Sequence, residues 1–156
     1  PESIDHQLRL VSRESFQRGA ELVGRKKWEQ AIPHLERAVL FNYRDVRAQE
    51  MLGSAYLRAK RYQQAVTAYR AAAAAAPDSP VYLFWIAVSH DRLGDRQQAI
   101  AGYESFLQAG HPDRKLNRDA RQRVDYLKTA PQRNAETMDA LVEMIEAIGQ
   151  QLQDDP

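Results

Sequence analysis

The chain has 156 residues, one domain's worth, and its 44% hydrophobic and 28% charged content is globular and excludes intrinsic disorder. A formal net charge of +1 gives no whole-molecule attraction to nucleic acid or to a membrane surface. With no cysteine there is no disulfide framework, no thiolate nucleophile and no Cys-based metal site, and no apolar run approaches a membrane span or a signal-peptide core.

Taken in chain order, residues 1–11 place Ile4, Leu8 and Val11 at helical spacing behind Ser3, a candidate N-cap, so a lead-in to the first helix is expected there. From residue 12 a pattern is written three times. Ala31 in "WEQAIPHLERAV", Ala65 in "YQQAVTAYRAAA" and Ala99 in "RQQAIAGYESFL" stand 34 residues apart. A small residue precedes each at a fixed offset (Gly19, Gly53, Ala87), and seven residues after it comes Lys26, Lys60 or Gly94, where a turn between two helices is expected. Leu35, Tyr69 and Tyr103 follow each anchor alanine by four residues, and Ala38, Ala72 and Phe106 by seven. The repeat therefore reads as a helix–turn–helix unit over 12–45, 46–79 and 80–111.

The six-alanine run of "RYQQAVTAYRAAAAAAPDSP" is then no linker but the end of the second helix of the middle repeat. Pro77 ends that helix, and Asp78 and Ser79 are expected to cap the next one. Pro33 falls near a helix start, where its missing N–H costs little. Gly53 and Ala65 are expected to let the two helices of the middle hairpin approach closely, with Trp28, Leu52, Tyr56, Tyr62 and Tyr69 filling the space around them. Each hairpin leaves an apolar face that its neighbour covers.

After Pro112, Leu116, Ala120, Val124 and Leu127 form one stripe over 114–128, the cap helix that a solenoid needs at its end. Over 134–152, Met138, Leu141, Val142, Ile145, Ile148 and Leu152 form one apolar face, expected to be buried in its own chain or in a neighbour. Charge divides here: residues 114–133 carry seven Lys/Arg and two Asp, whereas 134–156 carry six Asp/Glu and no Lys or Arg. Pairing of the two as a hairpin is one expectation, and two independently solvated faces the other.

The period, the small residues and "LGSAYLRAKRYQQAVTAYRAAAAAAPDS" with its terminal proline resemble the tetratricopeptide repeat over residues 12 to 111. The resemblance implies an all-α, right-handed superhelical solenoid of three hairpins, followed by the cap helix and the further amphipathic helix. Arg18, Tyr43 and His90 depart from the family's usual large aliphatic residue, closing proline and tyrosine. Function in such an array lies on the concave surface lined by the first helix of each repeat. Some members grip the C-terminal carboxylate of heat-shock chaperones with Lys, Asn, Asn, Lys and Arg. The matching places here hold Phe16, Ala20, Met51, Val81 and Trp85, so no carboxylate clamp is expected.

What the groove is expected to present is apolar (Phe16, Val23, Met51, Leu57, Phe84, Trp85, Val88) with Arg13, Arg47, Arg58 and Arg92 on the same helices. Such a trough suits an amphipathic helix or an extended peptide with apolar anchors and flanking acids. Val88 is expected to be inter-repeat core. No enzyme is expected: His6, His34, His90 and His111 have no metal-ligand spacing, "DRLGD" lacks the ligands of a calcium loop, and no nucleophile elbow or phosphate loop occurs. His90 beside Asp91 sits at a packing position and is read as structural. The expectation is a scaffold or adaptor for a protein or peptide partner, with no cofactor, no metal, no nucleic acid and no membrane insertion. Alternatives are a self-assembling scaffold that uses the C-terminal helix in trans to form a homo-oligomer, and a chaperone for a secreted partner. A soluble protein of either cytoplasm or periplasm is expected, and from the start at Pro1 a piece excised or processed from a longer chain is expected as well.

Overall fold

The computed structural model describes residues 3–130, 142–145 and 150. Seven helices follow one another: α1 (Ile4–Gly24), α2 (Trp28–Phe41), α3 (Val46–Arg58), α4 (Tyr62–Ala75), α5 (Val81–Leu93), α6 (Arg96–Ala109) and α7 (Arg114–Thr129), with no strand among the described residues. Each packs on the next in chain order, and α1 also touches α3, which is the layout of tandem helical hairpins stacked side by side. Residues 142–145 are helical as well.

The three hairpin turns close identically. Lys26 and Lys60 have φ of 58° and 62°, and Gly94 has 83°, all left-handed. At each, a six-to-one bond follows: Lys27 N–H to Leu22 O at 2.9 Å, Arg61 N–H to Tyr56 O at 2.8 Å, and Asp95 N–H to His90 O at 2.9 Å. This is the Schellman closure, which satisfies carbonyls that the helix end leaves orphaned. Two of the three repeats thus make the left-handed turn with lysine, where glycine would be unstrained.

Entry into the helices is less uniform. Ser3 caps α1 by accepting from His6 N–H, Asp45 caps α3 by accepting from Arg47 and Ala48, and Asp113 caps α7 by accepting from Lys115 and Leu116. The helix α5 starts at Val81 with Pro80 at the N-cap position and no side-chain cap, so the capping expected of Asp78 and Ser79 does not occur. Pro80 itself takes the helical conformation and its carbonyl accepts from Leu83 N–H at 3.0 Å, so the chain closes the first turn with backbone alone.

Close packing within hairpins pairs small with large. A Cβ on Gly19 would lie 2.6 Å from Leu35 Cδ2, and one on Gly53 would lie 2.9 Å from the Tyr69 ring. The partner of Gly53 is therefore Tyr69 rather than Ala65. In the third hairpin both sides are small, since a Cβ on Gly102 would meet the Cβ of Ala87 at 2.8 Å. The six-alanine run has its place too: Ala72 is wholly buried, and the helix α4 ends at Ala75.

Two buried clusters result. The first runs from Leu22 through Leu35, Tyr56 and Tyr69 to Tyr82; the second gathers Phe84, Ala87, Tyr103, Phe106, Val124 and Leu127. Burying aliphatic and aromatic side chains of this size contributes about 1.5–3 kcal/mol each. Between the two clusters sits Trp85, half-buried and packed against both.

Candidate functional site

The candidate site is built by α3 and α5, whose facing sides leave a hollow of about 430 Å³. Its walls are Ser54, Leu57 and Arg58 from α3, Tyr62 and Tyr69 from α4, and Trp85 and Arg92 from α5; Glu50 and Lys60 complete the rim. Tyr69 and Trp85 stack, with ring centroids 6.2 Å apart and planes 19° from parallel. Phe84 meets Trp85 edge-on at 5.2 Å. The indole is thus held on two sides, and such aromatic pairs add about 0.5–1.5 kcal/mol beyond the area they bury. Trp85 also lines the hollow.

Four of the expected groove residues come together here: Leu57, Arg58, Trp85 and Arg92. Phe16, Arg47 and Met51 lie on α1 and α3 outside this hollow, Phe16 and Met51 partly buried against the first cluster, and the Arg47 guanidinium lies 5.7 Å from the centroid of the Phe16 ring. Arg13 is exposed on α1 and lines neither hollow. Phe84 requires a correction, because it is core rather than groove. Only 6% of it is accessible, and it packs edge-to-face on Tyr103 and Phe106. Phe84 and Trp85 are adjacent in a helix, so their side chains point about 100° apart, and only one of the two can face the hollow. Val88 packs against the second cluster and Val23 against the first, so neither is a free groove wall.

Sequence reasoning missed Tyr69 as the floor of the hollow, together with Glu50, Ser54, Lys60 and Tyr62. The signal for Tyr69 was its repeat position: where Leu35 stands in the first hairpin, the second carries an aromatic ring with a polar tip. Burial is the main cause that pushes the Tyr69 phenol well above its ordinary value, and the Glu50 carboxylate adds to it, while Ser54 and Arg58 act the other way. Glu50 also accepts from Tyr82 Oη at 3.2 Å, which ties α5 to α3 under the rim. The cations are less committed. Among the described residues no carboxylate lies within 4 Å of Arg58, Lys60 or Arg92, although Arg58 does lie 5.9 Å from the Trp28 ring centroid.

Beyond α5 the surface continues. A second hollow of about 430 Å³ is bounded by Asp91, Arg92, Tyr103 and Arg123, so Arg92 borders both. Arg123 of the cap helix grips Asp91 with two nitrogens, Nη2 to Oδ1 at 2.8 Å and Nε to Oδ2, while Tyr103 Oη donates to the same carboxylate at 3.3 Å. The Tyr103 phenol is raised by burial first and by Asp91 second. Asp91 is therefore a structural anion. His90 makes no bond to it; the ring is buried, Nδ1 lies 3.2 Å from Asp95 Oδ2, and Nε2 has no hydrogen-bond partner among the described residues. No group of three potential metal ligands occurs among the described residues, and no described helix is long and apolar enough to cross a membrane.

The C-terminal face falls mostly outside the described residues, which leaves out Met138, Leu141, Ile148 and Leu152. Val142, Met144 and Ile145 are 49%, 53% and 63% accessible. Three of the six cations of α7, Lys115, Arg123 and Lys128, have partners in Asp119, Asp91 and Glu104.

Two family models match, both described as tetratricopeptide repeat, over residues 16–80 and 82–113. No curated protein matches. Among solved structures, the chain is similar to the type III secretion chaperone SycD of Yersinia enterocolitica in complex with a peptide of the translocator YopD. The TM-score is 0.68 at 16% identity, covering 74% of this chain and 91% of that one. It is also similar to PcrH in complex with the chaperone-binding region of PopD, with TM-score 0.66, 22% identity and coverage of 74% and 90%. A third likeness is to the second repeat domain of human RPAP3 in complex with an HSP70 peptide, with TM-score 0.65, 17% identity and coverage of 80% and 98%. At these identities the likeness is one of fold.

Proposed function

The chain belongs to the tetratricopeptide repeat family, whose members are protein-interaction modules rather than enzymes, and from that premise we propose that it captures an acidic peptide segment with apolar anchors in the hollow between α3 and α5. The observation that carries this reading is Trp85. It lines a hollow that Arg58 and Arg92 flank with no carboxylate partner among the described residues. An aromatic anchor ringed by arginine is the composition of a binding hot spot. The similar structures that hold peptides support the use of such a surface, each for its own ligand. A carboxylate-clamped chaperone tail is not the ligand proposed, because none of the five clamp positions carries a matching residue.

The test is a displayed random-peptide library selected on the full chain. Enriched sequences should be acidic, with two or more large apolar residues at helical or alternate spacing. Trp85→Ala should weaken their binding by roughly 30-fold or more, the equivalent of about 2 kcal/mol. Arg92→Glu, an exposed change, should weaken them with the melting temperature preserved. Enrichment of basic sequences, or affinity indifferent to both substitutions, would reject the reading.

A further inference from the structure

We propose that the hollow reads a charge order as well as an apolar anchor: its peptide ligand carries a base opposite Glu50, an acid opposite Arg58 and Arg92, and a large apolar residue between them over Trp85. This rests on the groove reading above and deepens it, from an acidic segment to a segment of fixed polarity. Unpaired cations alone do not single out the hollow, since Arg114, Arg118 and Arg121 of α7 also lack carboxylate partners among the described residues. What the hollow adds is an acid at its other end, with aromatic side chains in between.

Glu50 and Arg58 both line the hollow from α3, eight residues and so about 12 Å apart along the helix axis. Arg92 stands 34 residues after Arg58, at the same place of the next repeat, and Lys60 follows Arg58 by two. These three exposed cations therefore gather where α3 and α5 end. Glu50 lies toward the other end. Its Oε2 accepts from the Tyr82 hydroxyl at 3.2 Å, and Tyr82 is in the first turn of α5. Trp85 comes three residues after Tyr82 and seven before Arg92, so its ring falls between the acid and the cations. Burial is the first cause that raises the Tyr69 phenol in the floor; the Glu50 carboxylate raises it further and Arg58 lowers it, so both charges act across the same ring.

The Tyr82 bond holds the exposed Glu50 carboxylate in place, and Oε1 accepts no hydrogen bond among the described residues, so it is open to a donor from a ligand. An exposed pair of this kind adds little affinity, but a like charge at the same point is repelled, and that repulsion sorts partners. A ligand with acids at both ends meets Glu50, one with bases at both ends meets three cations, and one with the order inverted meets both. The separation of about 12 Å places the ligand's base and acid about four residues apart in an extended peptide, or about eight in a helical one.

The experiment selects a displayed random-peptide library on the full chain, then measures the enriched peptides, made synthetically, against Glu50→Gln and Glu50→Lys. Peptides from the parent should carry one Lys or Arg at a constant spacing from an Asp or Glu, always in the same order along the sequence, with a large apolar residue between. Glu50→Gln, which keeps an acceptor for Tyr82, should weaken them roughly threefold, and the loss should vanish for a peptide whose base is replaced by norleucine. Glu50→Lys should weaken them roughly tenfold or more, and replacing the peptide's base by Glu should restore binding. Should Glu50→Lys fail to fold, the Glu50→Gln comparison decides alone. Parent peptides with no base at a constant spacing from the acid, or a Glu50→Gln loss that is absent or unchanged by norleucine, overturn the inference. Failure of the groove reading shows separately, as selected peptides whose affinity ignores Trp85→Ala.

Discussion

At the scale of single residues, the left-handed turns offer the cleanest energetics. Lys60 holds φ of 62° and Gly94 φ of 83° at equivalent points of successive repeats. A Cβ at Gly94 would meet nothing within 4 Å, so Gly94→Ala isolates the backbone term and should destabilise by about 1 kcal/mol. Lys60→Gly should move the other way by roughly 0.5 kcal/mol, since relief of strain outweighs the larger entropy of the unfolded glycine. Urea unfolding of the pair reads both signs. Gly53 differs in kind, because a Cβ there would lie 2.9 Å from a Tyr69 ring that is itself 2% accessible and stacked under Trp85. Gly53→Ala should therefore cost about 1–3 kcal/mol by overpacking and, unlike the turn variants, should also alter Trp85 emission.

At the scale of elements, the cap helix α7 depends on one polar clasp besides its apolar stripe. Arg123→Ala would leave Asp91, whose side chain is 10% accessible, with the Tyr103 hydroxyl alone among its side-chain partners. The expected loss is about 1.5–3 kcal/mol, with exchange protection in α7 falling first. Asp45→Ala should cost about 1 kcal/mol through the uncapped start of α3, which melting curves would show. The hairpins were legible in the sequence because a 34-residue period repeats both the small residues and the turn positions. The individual groove walls were not. Phe84 and Trp85 carry the same apolar signal, and only the rotation of α5 decides that Phe84 faces Phe106 while Trp85 faces the hollow. Likewise Asp78 and Ser79 have capping chemistry, but the N-cap position falls on Pro80, one residue after Ser79 and two after Asp78. Tyr69 was read as filler from its place in the repeat; that it also floors the hollow follows from the gap between α3 and α5, which no local spacing encodes.

At the scale of the whole molecule, tyrosines join the repeats and set a limit in alkali. Burial is the leading cause that raises Tyr56, Tyr69, Tyr82 and Tyr103 above the ordinary value near 10. A phenol whose folded pKa is raised stabilises the fold fully below the unfolded value, and that contribution is lost as pH climbs above it. Stability should hold to about pH 10 and then fall, with tyrosinate absorbance from these four appearing together with the loss of helical circular dichroism. Ionisation of all seven tyrosines on a fully helical protein would contradict this. The position of Trp85 bears on how the stack comes apart. Among the described residues it is the half-buried aromatic packed on both clusters, and with Tyr82, Val81 and Ile86 it seats α5 against the first two hairpins. A stack held by nearest-neighbour contacts can open at this joint into two foldons, the first two hairpins and the third with its cap. A peptide seated on Trp85 would weld them, and its arrival should register as a sharpening of the melting transition as well as a rise in its midpoint.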